Sequence, residues 1–282
     1  MYQRSTQRSQ NTKHIHHVQR HGWLSYPVSI EQRIYSALLA PTLFLLAAVI
    51  LFASLNLFPT TFHLQVSVWT IFAALGATFS RLLIAYVLSL VCAIPMAILA
   101  THSHITERIF LPLFDVTQSV PVLAFFPVII LVFIRFGYYS AACVFILFLT
   151  MMWSLVFNIA GGLKTVPSDV FAAAKVFKIK GWRYLREVLL PAVFPQMVTG
   201  SLLAWASGWN VIIVAEVLHT YIPGGSPSQD IFGIGSMLVD AVASGHNDVF
   251  VATMLVLIAA IAFINFFVWQ KLLRYSEKFR FE

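Results

Sequence analysis

Charge is what this chain of 282 residues has least of. Only 10% of its residues are Asp, Glu, Lys or Arg, while 59% are hydrophobic and the mean hydropathy is +0.83. Soluble domains carry about 25% charged residues, so a water-soluble globular class is excluded. The chain reads as an all-α polytopic membrane protein. Acidic residues are missing before Glu31, and Lys and Arg are missing from His219 to Asp248. Cysteine is nearly absent: Cys92 and Cys143 sit in apolar runs, where a buried thiol is the ordinary state, and they indicate no redox compartment. P-loop, CxxC and HExxH patterns are lacking, so nothing points to nucleotide hydrolysis or zinc chemistry within the chain. His102 and His104, two apart on a loop, are too few for a metal site. We expect no catalytic residue, no metal and no cofactor in this chain. The net charge of +7 is no sign of nucleic acid, because the cations flank the apolar runs.

What is there is a series of long apolar stretches. A helix needs about 20 residues to cross a bilayer. On that measure six spans are expected: Ala37–Phe58, Val68–Ala100, Leu113–Ile134, Ala141–Ala160, Val188–Leu218 and Val249–Gln270. The second and fifth are long enough to tilt or project. In the third, Pro121 and Pro127 predict a kinked helix. Between them lie a cytoplasmic link, Thr101–Phe110, and an outer segment, His219–Asp248, with a Pro/Gly/Ser-rich turn at 223–229. Placing both termini inside leaves only Arg81 and Arg135 outside the cytoplasmic segments, so 16 of 18 Lys and Arg residues obey the positive-inside rule. The division is a basic tail (1–33), a transmembrane domain (34–275) and a short cytoplasmic tail (276–282). The first tail is His-rich, with His14, His16, His17 and His21. It reads as a flexible cytoplasmic segment and not a cleaved signal peptide, because the first apolar run starts only near Ala37 and is long enough to span.

One polar interruption organises the rest. The loop 161–187 holds six of the 18 Lys and Arg residues. Pro167 and Ser168 offer a helix start, with Asp169 in the first turn. Val170, Ala173, Ala174 and Phe177 then share a face at helical spacing, with Lys175 and Lys178 off it. Gly181 is expected to end this helix and let a second begin near Trp182.

The sequence Ala172-Ala173-Ala174, followed by a turn and closed by Leu190-Pro191, resembles the coupling-loop signature of binding-protein-dependent ATP-binding-cassette (ABC) importer permeases. That signature reads Glu-Ala-Ala, three residues, Gly, and a stretch ending in Leu-Pro. Here Ala172 stands for the Glu and Lys178 for the Gly, with Gly181 three positions late. Gln118-Ser119-Val120-Pro121, Asn158, Val214-Ala215-Glu216 and Phe232-Gly233-Ile234-Gly235 resemble the nitrate/sulfonate/taurine-type branch of the same family. The resemblance implies a type I ABC importer permease fold of six transmembrane helices in a bacterial inner membrane. It also implies a non-catalytic subunit that carries a small anion such as nitrate, a sulfonate, taurine or bicarbonate. The partners it implies are two ABC ATPase subunits, which bind the ATP and Mg, a second permease copy or homologue, and an extracytoplasmic solute-binding protein. Asp169, Phe171, Ala172, Ala173, Ala174, Lys175, Lys178, Gly181 and Pro191 would then serve ATPase coupling. An ion-coupled secondary transporter is the alternative; it would need a driving-ion site, for which Glu216 is available.

Polar residues within apolar spans are the candidates for a solute path: Arg81, Gln118, Asn158, Asn210 and Glu216. Each has a structural reading beside it. Glu216 is a pore residue or an interfacial anchor. Arg81 faces the path or pairs with an acid. The amides are also explained by hydrogen bonds between helices, as Trp153, Trp205 and Trp209 are by packing.

Overall fold

The computed structural model describes residues 66–222 and 224–279. The first expected span and the His-rich tail lie outside them. Among the described residues there is no β-strand. We number the main helices α1 (Val68–Thr101), α2 (His104–Ser119), α3 (Val122–Arg135), α4 (Tyr139–Thr165), α5 (Ser168–Val176), α6 (Gly181–Glu216), α7 (Ile234–Ala243) and α8 (Asn247–Phe279). Four of these, α1, α4, α6 and α8, are long and apolar enough to cross a membrane, and α2 with α3 makes a bent fifth candidate.

The core is where α4 packs against α1 and α6. The reason is visible along α1, whose buried residues are Ile71, Ala74, Thr78, Leu82, Ala85, Ser89, Ala93, Ala97 and Ala100. They recur every three or four positions and are mostly small, so one narrow face of the helix comes close to its neighbours. The other faces of α1 expose Phe72, Ile84, Leu88 and Val91, as suits a helix bordered by lipid or another subunit. Three glycines bring α6 against its partners. A Cβ would lie 2.8 Å from Gln196 Cβ at Gly162, 2.8 Å from Asn158 Cβ at Gly200 and 2.8 Å from Leu82 Cδ2 at Gly208.

Prolines shape the remaining elements. The third expected span is two helices, α2 and α3, bent by 80° at Val120–Pro121. Val120 adopts φ −76°, ψ 121° because a residue preceding proline is driven out of the helical region. Most of the expected link Thr101–Phe110 belongs to α2, which starts at a capping box: Thr106 N–H donates to Ser103 Oγ, and Ser103 N–H to Thr106 Oγ1. In α6, Pro191 has no N–H for the carbonyl of Glu187. The helix widens to a π turn at Leu185–Leu189 just before it, where Leu190 N–H donates to the Leu185 carbonyl. A second π turn, Asn265–Trp269, lies within α8.

Candidate functional site

Two polar constructions stand at opposite ends of the long helices. The first is the loop between α4 and α6. Its helix α5 begins at Ser168 with Asp169 in the first turn. The face turned to the core is Val170, Phe171 and Ala174; Ala173 and Phe177 are exposed. This corrects the expected face of Val170, Ala173, Ala174 and Phe177. The helix is apolar nearly all round, so periodicity alone does not orient it, and Phe177 falls beyond its end. Ala172, Lys175 and Lys178 are exposed, and Pro191 is half-buried.

The ending of α5 also differs from expectation. Lys178, not Gly181, turns the chain, at φ 53°. Lys178 N–H donates to the Lys175 carbonyl at 3.1 Å and Ile179 N–H to the Ala174 carbonyl at 3.0 Å. These are the paired bonds of a Schellman ending, whose left-handed residue is usually glycine. The turn therefore survives a lysine at the position where the resemblance has glycine. Gly181, at φ 61°, opens α6. Around this turn Val176, Phe177 and Trp182 are 77%, 75% and 71% exposed. Behind it, Lys164 at the end of α4 meets Glu107 near the start of α2 at 2.6 Å.

The second construction joins α1, the end of α6 and the start of α7. The Glu216 side chain is fully buried. Its Oε1 accepts from Arg81 Nη1 at 2.6 Å and from Thr78 Oγ1 at 2.7 Å, and its Oε2 accepts from Gly235 N–H at 2.8 Å. Thr78 Oγ1 in turn accepts from Ile234 N–H at 2.9 Å, and Arg81 Nη2 donates to the Phe232 carbonyl at 2.7 Å. A buried carboxylate is tolerated when charge and hydrogen bonds together compensate its lost hydration, and the N-terminus of α7 adds a favourable dipole. Nearby, His219 Nδ1 meets Asp230 Oδ2 at 2.7 Å and His219 N–H donates to Asp230 Oδ1 at 2.9 Å, closing the loop between them.

The five polar residues singled out within the spans are thus not gathered in one place. Arg81 and Glu216 partner each other. Asn158 is half-buried and donates to the Ser154 carbonyl in its own helix, 2.7 Å away. Gln118 is exposed and donates to Asp115 Oδ1 at 3.0 Å, and Asn210 is exposed on α6. Thr78, His219, Asp230 and the Glu107–Lys164 pair escape sequence reasoning, since their partners lie far off along the chain. The spaced glycines Gly233 and Gly235 were the available signal for a close approach.

Residues 89–274, about two thirds of the chain, match the model of the binding-protein-dependent transport system inner membrane component family. The chain belongs to that family. The match takes in both the α4–α6 loop and Glu216, whereas Thr78 and Arg81 precede it. This inner membrane component is 31% identical over 177 residues to the nitrate import permease protein NrtB of Leptolyngbya laminosa, covering 63% of this chain and 59% of that protein. It is 25% identical over 194 residues to the bicarbonate transport system permease protein CmpB of Synechococcus elongatus, 68% of this chain and 66% of that one. With the putative aliphatic sulfonates transport permease protein SsuC of Bacillus subtilis it shares 29% over 179 residues, 64% of this chain and 56% of that one. The matched stretches span less than two thirds of each of these relatives. The protein is a multi-pass membrane component of this family's helical fold.

Proposed function

We propose that this protein is the permease subunit of an ABC importer for a small anionic solute of the nitrate, bicarbonate or sulfonate class. In this reading α5 is the coupling helix. It sits in the cytoplasm with both termini, and ATP with Mg is bound by separate ATPase subunits. A second permease, identical or homologous, completes the path, and a solute-binding protein docks on the outer segment around α7. ATP acts by favouring one arrangement of the two permeases over the other, through its different affinity for the two states. Gln118, exposed near the end of α2, and Asn210, exposed on the apolar α6, are the path-facing residues of this proposal.

The observation that carries the reading is the apolar group Val176, Phe177 and Trp182, held open beside a fixed turn within a basic loop. An exposed apolar group on a polar loop suits docking to a soluble partner.

Co-purification in mild detergent tests it. Wild type is expected to bring an ABC ATPase, identified by mass spectrometry. Ala173→Asp with Phe177→Asp is expected to lose it while the permease stays monodisperse, since both positions are exposed. A folded wild type that brings no ATPase and moves anions in proteoliposomes on an ion gradient alone would overturn the reading.

A further inference from the structure

We propose that Arg81, Thr78 and Glu216 fasten the start of α7 to α1 and α6, so that the outer segment moves as one body with those two spans. Arg81 and Glu216 are then positioning residues and not contacts to solute. Only the last step below, transmission from a docked binding protein, rests on the importer reading.

The argument starts from a shortage. The first N–H groups of any helix lack partners within it. In α7 two of them are satisfied by side chains of other elements: Ile234 N–H by Thr78 of α1, and Gly235 N–H by Glu216 of α6. The preceding backbone is tied down as well, with Ile231 N–H donating to the Glu216 carbonyl at 3.0 Å and the Phe232 carbonyl accepting from Arg81. Each of the five consecutive residues 231–235 thus meets α1 or α6, four through hydrogen bonds and Gly233 through the carboxylate packed on it.

The glycines are explained by the same geometry. Gly233 has extended backbone, φ −176°, which any residue adopts, so conformation does not require glycine there. Space does: a Cβ would overlap the Glu216 carboxylate. At Gly235 a Cβ would lie 2.6 Å from Ile213 Cα and 2.9 Å from Glu216 Oε2. Phe232-Gly233-Ile234-Gly235 is therefore a cradle for this carboxylate. Arg81 spends both terminal nitrogens on the fastening, one on Glu216 and one on the Phe232 carbonyl.

Hydrogen–deuterium exchange of the full chain in detergent tests the fastening without any transport assay. Wild type is expected to protect peptides covering 231–243. Arg81→Gln, and Gly235→Ala, which keeps both charges, should each speed exchange there by about tenfold while α4 is unchanged, the mark of local opening. Gly76→Ala, whose Cβ would meet nothing within 4 Å, should change nothing. Equal exchange at 231–243 in wild type and both variants overturns the proposal. So does a rise shared by α4, which would make the residues general supports of the core.

The transmission step is read in the purified complex. Arg81→Gln should lower the ATPase rate stimulated by the loaded binding protein by about fivefold relative to the basal rate, with partial rescue in Arg81→Lys. An unchanged ratio overturns transmission. Local opening in a chain that brings no ATPase instead leaves the fastening intact and sinks the importer reading.

Discussion

Lys178 shows what one residue decides. A side chain in the left-handed region costs about 1–2 kcal/mol per residue, which glycine avoids. The Schellman bonds of Lys178 and Ile179 nevertheless form, so the packing of Val170, Phe171 and Ala174 beneath them outweighs that cost. Lys178→Gly should therefore raise the thermal midpoint in detergent, by about 1 kcal/mol of stability, with the loop unchanged. A lower midpoint would mean that the lysine makes a compensating contact. The Arg81–Glu216 pair gives a sharper residue-scale expectation. Removing one partner of such an ion pair leaves the other charge uncompensated, whereas replacing both is often close to neutral. Arg81→Gln should accordingly lose exchange protection at 231–243, and Arg81→Gln with Glu216→Gln should recover most of it. A double variant that exchanges faster there than the single one would show that the charge itself is not what matters.

At the scale of helices, length and apolarity suffice to mark α1, α4, α6 and α8 in the sequence, because a bilayer asks little more of a span than these. The proline signals are legible as irregularity but not as geometry. Pro121 predicts a kink, yet the 80° bend that separates α2 from α3 depends on how each half packs. Orientation of a short helix is less legible still: α5 is apolar nearly all round, and its neighbours choose the buried face. Helix approach carries its own test. At Gly208 an added methyl would meet Leu82 Cδ2 and the end of Met151, side-chain tips that can move. At Gly200 it would meet Asn158 Cβ at 2.8 Å and the Ser154 carbonyl oxygen at 3.2 Å, which cannot move without the backbone. Overpacking costs about 1–3 kcal/mol where relaxation is blocked. Gly200→Ala should thus lower the melting midpoint more than Gly208→Ala, as scanning fluorimetry would show; the reverse order would mean that α4 and α6 slide freely.

Over the whole molecule, the two polar constructions divide the chain into ends of different chemistry. The end with the Glu107–Lys164 pair also holds the loop cations Lys175, Lys178, Lys180, Arg183 and Arg186. The other holds Glu216, Asp230 and Asp240, with Arg81 paired to Glu216 and Arg135 an exposed cation on that side. The distribution of cations is legible in the sequence, because it is a property of composition along the chain. The fastening is not, since Arg81 and Glu216 lie 135 positions apart and nothing local pairs them. This asymmetry fixes the orientation to expect, with the basic end inside. A chain carrying Cys92→Ala and Cys143→Ala gives a background for single reporters. Val176→Cys, on the exposed turn of the α5 loop, should react with a membrane-impermeant maleimide only after the cells are opened. Ser228→Cys, exposed in the loop closed by His219 and Asp230, should react in intact cells. The opposite pattern would place the basic end outside. No cytoplasmic ATPase would then reach α5, and the coupling role proposed for Val176, Phe177 and Trp182 would fall with it.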